Sequence, residues 1–327
     1  MSELASIPET PVTPATTPIN VARIPLAVRK RSTHNVFRKR LMRMGLYLFL
    51  TALALIFLWP LLYAVYMSFR NYGEIVINPN GPFSLPTNGL KSLSLQNYED
   101  VWNGSNLVQF YWNTMVLTIP SVILTLWISS MVAYTISKYS WRFNLLVLMI
   151  FTAGNLLPPQ VIIIPLVRLY NIIPMVPPVS DNGLLFDQFI GVILIHTTFQ
   201  TGFCTFVLSN YMKTLPKELI EAAMIDGAGV FTIYRRVILP LCTPALAALA
   251  TLLFTWIYND FFWSLFLFVN GGKRPITAAL NNLQGAYFTN PTQLAAISVM
   301  AAIPTIVVYM VLQRYFVRGL TLGTAKG

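Results

Sequence analysis

The chain has 327 residues, of which 55% are hydrophobic and only 10% charged, with a formal net charge of +11. Soluble domains carry about 25% charged residues, so this deficit excludes an ordinary soluble enzyme and points to an integral membrane protein. The excess cations flank apolar runs instead of forming a basic stripe on a polar surface, which sets nucleic acid aside as a partner.

Residues 1–37 are rich in Pro, Thr, Ser and Ala and end in a basic segment, and the first long apolar run starts only near Gly45. A cleavable secretory signal places its apolar core close to the start. These residues therefore read as a disordered tail ahead of a retained transmembrane helix. A spanning helix needs about 20 mainly apolar residues. Six segments qualify: Gly45–Phe69, Tyr111–Ile136, Asn144–Leu169, Phe189–Tyr211, Leu239–Val269 and Leu294–Tyr315. The expected fold class is an all-α integral membrane protein of six spans, filling residues 38–327. Pro60, Pro120, Pro158–Pro159, Pro165 and Pro304 lie inside these segments and predict bends or breaks.

In a six-span arrangement, 17 of the 22 Lys and Arg residues fall on the side of the N-terminus. The positive-inside rule then places both termini in the cytoplasm of an inner or plasma membrane. The outward loops are 71–110, 170–188 and 270–293, the first two rich in turn residues. Cys204 and Cys242 stand far apart in apolar surroundings and read as small buried hydrophobes.

Between spans four and five lies the cytoplasmic stretch 215–238, with Glu218, Glu221, Asp226, Arg235 and Arg236 amid apolar neighbours. Pro216 suits a helix start, and Lys217 and Glu221 share a helical face, so a short helix is predicted over Pro216–Ile225. Ala222 and Ala223 offer a smooth patch for another backbone. Gly227 and Gly229 supply a permissive turn, and Asp226 is placed to cap the helix that follows. That second helix would carry Phe231, Tyr234 and Val237. Two readings of this elbow stay open on physical grounds: a solvated loop with a basic anchor, or a docking element.

The spacing Glu221-Ala222-Ala223, three residues, Gly227, nine residues, Val237, one residue, Leu239-Pro240 resembles the EAA loop of ABC-transporter permeases of the binding-protein-dependent importer type. That pattern usually has Ile where Val237 stands. Tyr111-Trp112-Asn113-Thr114, Tyr134, Pro158, Trp256 with Asn259, and the ending Arg314-Tyr315-Phe316-Val317-Arg318-Gly319-Leu320 are similar to the carbohydrate branch, typified by the six-span subunit of the maltose importer. The resemblance covers about nine-tenths of the chain and leaves the tail out. It implies a sugar-importer permease working with a second permease in a heterodimer, two ATP-binding subunits and an extracytoplasmic binding protein. The elbow would be a coupling helix seated on the ATPase, with Glu218, Glu221, Ala222, Ala223, Asp226 and Gly227 as coupling residues and Glu221 as the charged contact. ATP and Mg would be bound by the partner, because this chain has no G-x-x-x-x-G-K-[ST] phosphate loop and needs no cofactor or catalysis of its own.

Polar residues in spans are functional candidates by default. Asn113, Gln200, Trp256, Tyr258, Asn259 and Asp260 are the candidate substrate pathway, since hydroxyl-bonding groups beside aromatic faces suit a sugar. The alternative is structural: aromatics filling helix contacts, and Asp260 paired with a donor on a neighbouring helix. His196 and Gln200 share a face of span four. They could line the pathway or bond to each other. The other solutes considered are polyol phosphates, amino acids and peptides. A secondary transporter would have no use for the elbow, and an intramembrane enzyme would need a partner for His196 or Asp260 that is not evident.

Overall fold

The computed structural model describes residues 33–77, 89–104, 106–139, 141–283 and 290–321. Of the predicted tail, residues 1–32 lie outside the described residues. The described residues divide into two units, 33–58 in the first and those from Trp59 onward in the second. In the first unit, helix α1 (Thr33–Ser68) exposes every side chain from Lys39 to Leu58. A helix that is apolar all round and buries nothing within its own unit is suited to hydrocarbon.

The second unit holds the remaining elements. The outward loop after α1 is less irregular than its turn residues predict: it contains α2 (Tyr72–Ile77) and α3 (Gln96–Gly104). Asn97 on α3 explains the order there, because its Nδ2 donates to the carbonyls of Ser68 and Arg70, both at 2.8 Å.

Helices α4 (Leu107–Lys138) and α7 (Phe189–Lys213) pack along their length. Buried small and hydroxyl-bearing residues are frequent on both helices, Thr114, Thr118, Ser121, Thr125 and Ser129 on α4 and Thr197, Thr201, Thr205 and Ser209 on α7. Apolar helices gain nothing hydrophobic by leaving lipid for one another, so small residues that let backbones approach supply the contact. Several hydroxyls spend their hydrogen bonds inside their own helix, as Ser129 and Thr201 do on the carbonyls four residues back, at 2.6 Å each.

Span three is not one helix. α5 (Asn144–Ala153) and a short 3-10 turn give way at Leu157 to α6 (Pro159–Tyr170), bent by 98°. Two successive prolines force the chain extended at Leu157 and Pro158, and Pro159 then starts the new helix. The end of α5 presses on α7 at Gly202, where an added Cβ would lie 1.9 Å from the Phe151 carbonyl oxygen and 2.3 Å from Asn155 Nδ2.

The elbow contributes α8 (Glu218–Ile225) and α9 (Val230–Ile233), a π turn over Tyr234–Ile238 and α10 (Leu239–Leu241). Span five, predicted as Leu239–Val269, is α11 (Thr243–Tyr258), a break at Asn259–Phe261, and α12 (Phe262–Leu267). α13 (Ile276–Leu283) and α14 (Pro291–Thr321) follow, and α14 packs on α11. Among the described residues, four helices are individually long and apolar enough to cross a membrane, and the two bent pairs raise the number to as many as six. Cys204 and Cys242 are buried free thiols, as expected.

Gly202→Ala is expected to destabilise the chain by about 1–3 kcal/mol or more, because a backbone carbonyl cannot yield to the new methyl. Gly154→Ala, where a Cβ meets nothing within 4 Å, should be silent. Thermal unfolding of the two variants in one detergent provides the comparison.

Candidate functional site

The elbow is built on the ends of α4, α7 and α11. After Lys213 the chain turns through Thr214, whose N–H donates to the Tyr211 carbonyl at 3.0 Å. Pro216 lies outside α8, which begins at Glu218. Ile220, Ala223 and Ala228 then pack onto a core of Tyr134, Leu208, Met212, Ile233 and Ile238. The alanine pair therefore divides: Ala223 faces the core and Ala222 is exposed, so they do not form one smooth patch.

α8 ends in a Schellman motif. The Ala228 N–H reaches the Ala223 carbonyl and the Gly227 N–H that of Met224, both at 3.0 Å, with Gly227 at φ +78°. Only glycine takes that left-handed geometry at no steric cost, which is why the turn has Gly at this position. Asp226 does not cap the next helix. It is exposed at the end of α8, and the residue preceding α9 is Gly229, without a side-chain cap.

The second helix also differs from expectation. It is four α residues running into a π turn, which places Tyr234 and Ile238 inside and Arg235 and Arg236 outside. The Tyr234 and Ser130 hydroxyls share a 2.7 Å hydrogen bond, and Tyr134 Oη donates to the Val230 carbonyl at 3.3 Å. The segment Val230–Leu241 meets α11 at 73°. Glu218, Glu221, Ala222 and Asp226 are exposed along the elbow, as are Ile225, 86% exposed, and Phe231, 63% exposed, and Glu221 also borders a pocket against the end of α4.

The membrane-core candidates separate into two groups. Asn113 is buried; its Nδ2 donates to the Gly272 and Arg274 carbonyls, and its Oδ1 accepts from Gln109. Tyr258 is fully buried, with Oη donating to the Ala301 carbonyl at 2.9 Å. Asp260 accepts from the Trp263 and Ser264 N–H groups and the Ser264 hydroxyl at the start of α12, and its Oδ2 lies 3.5 Å from His196 Nε2. The structural alternative for Asp260 is thus the arrangement found, and His196 turns to it instead of to Gln200. Trp256, Asn259 and Gln200 remain at least partly exposed, and the Trp256 ring lies tilted by 55° against Phe203 with centroids 5.4 Å apart.

Sequence reasoning missed a polar clamp at the other end of the bundle. Lys273 Nζ lies 2.7 Å from Asp181 Oδ2 and 2.8 Å from the Asp187 carbonyl oxygen, while Asp187 Oδ1 accepts from the N–H groups of Val269 and Asn270. Gln188 also donates to Asp181. Asp187 has φ 61°, the only signal being that Asp tolerates this region. The hydrogen bonds from Lys273 and Gln188 lower the Asp181 pKa from 3.8 to about 2.

The description "binding-protein-dependent transport system inner membrane component" matches residues 125–322, which include the entire elbow. The chain belongs to this family of ABC-importer permeases. It is 32% identical over 235 residues to the alpha-glucoside transport system permease AglG of Rhizobium meliloti, covering 72% of this chain and 60% of that protein's length. It is 30% identical to the osmoprotective compounds uptake permease GgtD of Synechocystis over 92% of this chain and 99% of GgtD. The melibiose/raffinose/stachyose import permease MelC of Bacillus subtilis matches at 30% over 72% and 82%. In fold, a subunit of a bacterial alginate importer superposes with TM-score 0.71 at 24% identity, over 85% of this chain and 98% of that one.

Two outcomes are expected here. Gly227→Ala should cost roughly 1–2 kcal/mol and speed hydrogen exchange across 218–230, while Gly229→Ala, with φ −71°, should leave exchange unchanged. The depressed Asp181 pKa means the folded clamp gains stability above the ordinary carboxylate pKa and loses it as pH falls from about 4 through 2. Lys273→Met should reduce that acid-side loss in a pH series of thermal unfolding, leaving the part that comes from Gln188.

Proposed function

We propose that this chain is one half of the translocation pathway of an ATP-driven sugar importer, spanning the inner membrane six times with both termini cytoplasmic. The observation that carries this reading is the two-faced elbow. Its inner side is keyed to the ends of the spans, and its outer side presents apolar groups and carboxylates to a partner. A separate ATPase pair, holding ATP and Mg, would seat that face. Closure of the pair would then move α8 together with α7 and α11 and tilt the bundle. Glu221 makes the charged contact with the ATPase, with Glu218 and Asp226 beside it, and Ala222 and Gly227 allow close fit.

Sugar as the solute is supported by the names of AglG and MelC. A compatible solute is the second reading, supported by GgtD, which matches along nearly its whole length. A second permease would complete the pathway, and an extracytoplasmic binding protein would deliver the solute to the end that carries loop 270–293. Gln200, Trp256 and Asn259 are the pathway residues in this chain, since Asn113, Tyr258 and Asp260 are engaged with the protein itself.

Glu221→Lys should leave the chain folded in the membrane while uptake and co-purification of the ATPase both fall at least tenfold. Normal uptake with a normal amount of bound ATPase would remove the docking role. Trp256→Ala should lower uptake while ATPase binding stays intact.

A further inference from the structure

A pocket of about 470 Å³ opens between the end of α4, the first residue of α5 and the inner edge of the elbow. Three lysines line it from three different segments: Lys138 at the end of α4, Lys213 at the end of α7 and Lys217 just before α8. Glu221 is the one acid in the lining, and no ion pair between it and these lysines is found among the described residues. Lys138 is held in place, with Nζ 3.4 Å from the Leu215 carbonyl oxygen. The Ser137 hydroxyl belongs to the same wall, as does Asn144, whose Nδ2 donates to the Ile136 and Tyr139 carbonyls at the end of α4.

Like charges gathered around one cavity repel, and this arrangement costs free energy unless an anion completes it. The pocket lies at the end of three membrane-embedded or membrane-adjacent segments, within reach of lipid headgroups as well as solutes. We propose that it binds a phosphate-bearing anion, with the three ammonium groups on the phosphate oxygens and hydroxyl and amide groups of the wall as neighbours. The source is either an anionic phospholipid headgroup or a soluble phosphate. Either occupant would bridge α4 to the elbow through Lys138 and Lys217, so the site would brace the elbow in addition to binding the anion. Glu221 lines this pocket and is also the residue assigned to the ATPase contact, so the two proposals share that side chain, and the lysine variants below leave it unchanged.

The test uses the full-length chain in nanodiscs. One arm measures retention of phosphatidylglycerol by native mass spectrometry from discs doped with it. The other measures binding of inorganic phosphate in discs of phosphatidylcholine alone. The double variant Lys213→Gln/Lys217→Gln, at two exposed positions, should lose about ten- to thirtyfold in whichever arm binds, at about fivefold per lysine. Arg235→Gln/Arg236→Gln removes the same charge from the exposed side of the π turn and should change binding by less than twofold. Loss in the lipid arm alone assigns a headgroup, and loss in the phosphate arm assigns a soluble anion. Equal loss in both double variants, or no lysine-dependent binding in either arm, overturns the proposal. Thermal unfolding of each variant confirms that the fold is retained.

Discussion

The close approach of α4 and α7 is the constraint on which the rest depends. Hydrocarbon offers no hydrophobic reward for packing two apolar helices together, so the contact relies on the absence of bulk along both faces. Small hydroxyl-bearing positions meet that need; Ser129 and Thr201 bond to carbonyls of their own helices, whereas the buried hydroxyls of Thr118, Ser121, Thr125, Thr197 and Thr205 have no protein partner among the described residues. Once α4 is fixed, it works as a strut between the two ends of the bundle. At one end Asn113 and Thr114 hold residues 272–276, with the Ile276 N–H donating to Thr114 Oγ1 at 2.9 Å. About 30 Å away along the same helix, Ser130 and Tyr134 hold the elbow.

The broken spans obey a second constraint: a helix end away from water must satisfy its backbone groups within the protein. Asp260 does this for α12. A carboxylate at a helix N-terminus is favourable in itself, and His196 stands beside it from α7. This gives the acid between two apolar stretches a structural task at the break. The same logic accounts for Asn113 and Tyr258, whose partners are backbone carbonyls of distant segments. Polar side chains in these spans therefore serve irregular backbone first, while Trp256 and Asn259, beside the break, stay exposed, Asn259 with its amide on the Thr255 carbonyl at 2.8 Å.

Much of this was legible in the sequence because it is local. Apolar length marked the long spans, successive prolines marked the break at Leu157–Pro158, and Gly227 marked a turn that needs a left-handed residue. What escaped depends on contacts remote in sequence. Whether Ala222 or Ala223 faces inward follows from where α4 and α7 end, which helical spacing within α8 does not specify. The partner of Asp260 is 64 positions away in numbering, from His196 on another helix. The Lys273 clamp joins two loops whose turn residues announced exposure and nothing more. The loop before α4 looked irregular because its order comes from Asn97 bonding to Ser68 and Arg70, not from propensity.

The elbow's geometry bears on how a push could be transmitted. A docking helix joined by a slack loop would absorb displacement in the joint. Here the joint is closed by two backbone hydrogen bonds around Gly227 and by side chains from both halves, Ile220 and Ala223 before it and Ala228 and Ile233 after it, packed in one core. The weakest local geometry is the π turn, where hydrogen bonds skip one residue further than in an α-helix and Pro240 and Pro244 lack donors. Deformation should thus concentrate between Tyr234 and Thr243, at the 73° bend into α11, while α8 stays rigid with α7. A force on Glu221 would then be carried into α7, with which α8 stays rigid, while the bend lets the elbow turn relative to α11, the helix that carries Trp256 and leads to the Asp260 break.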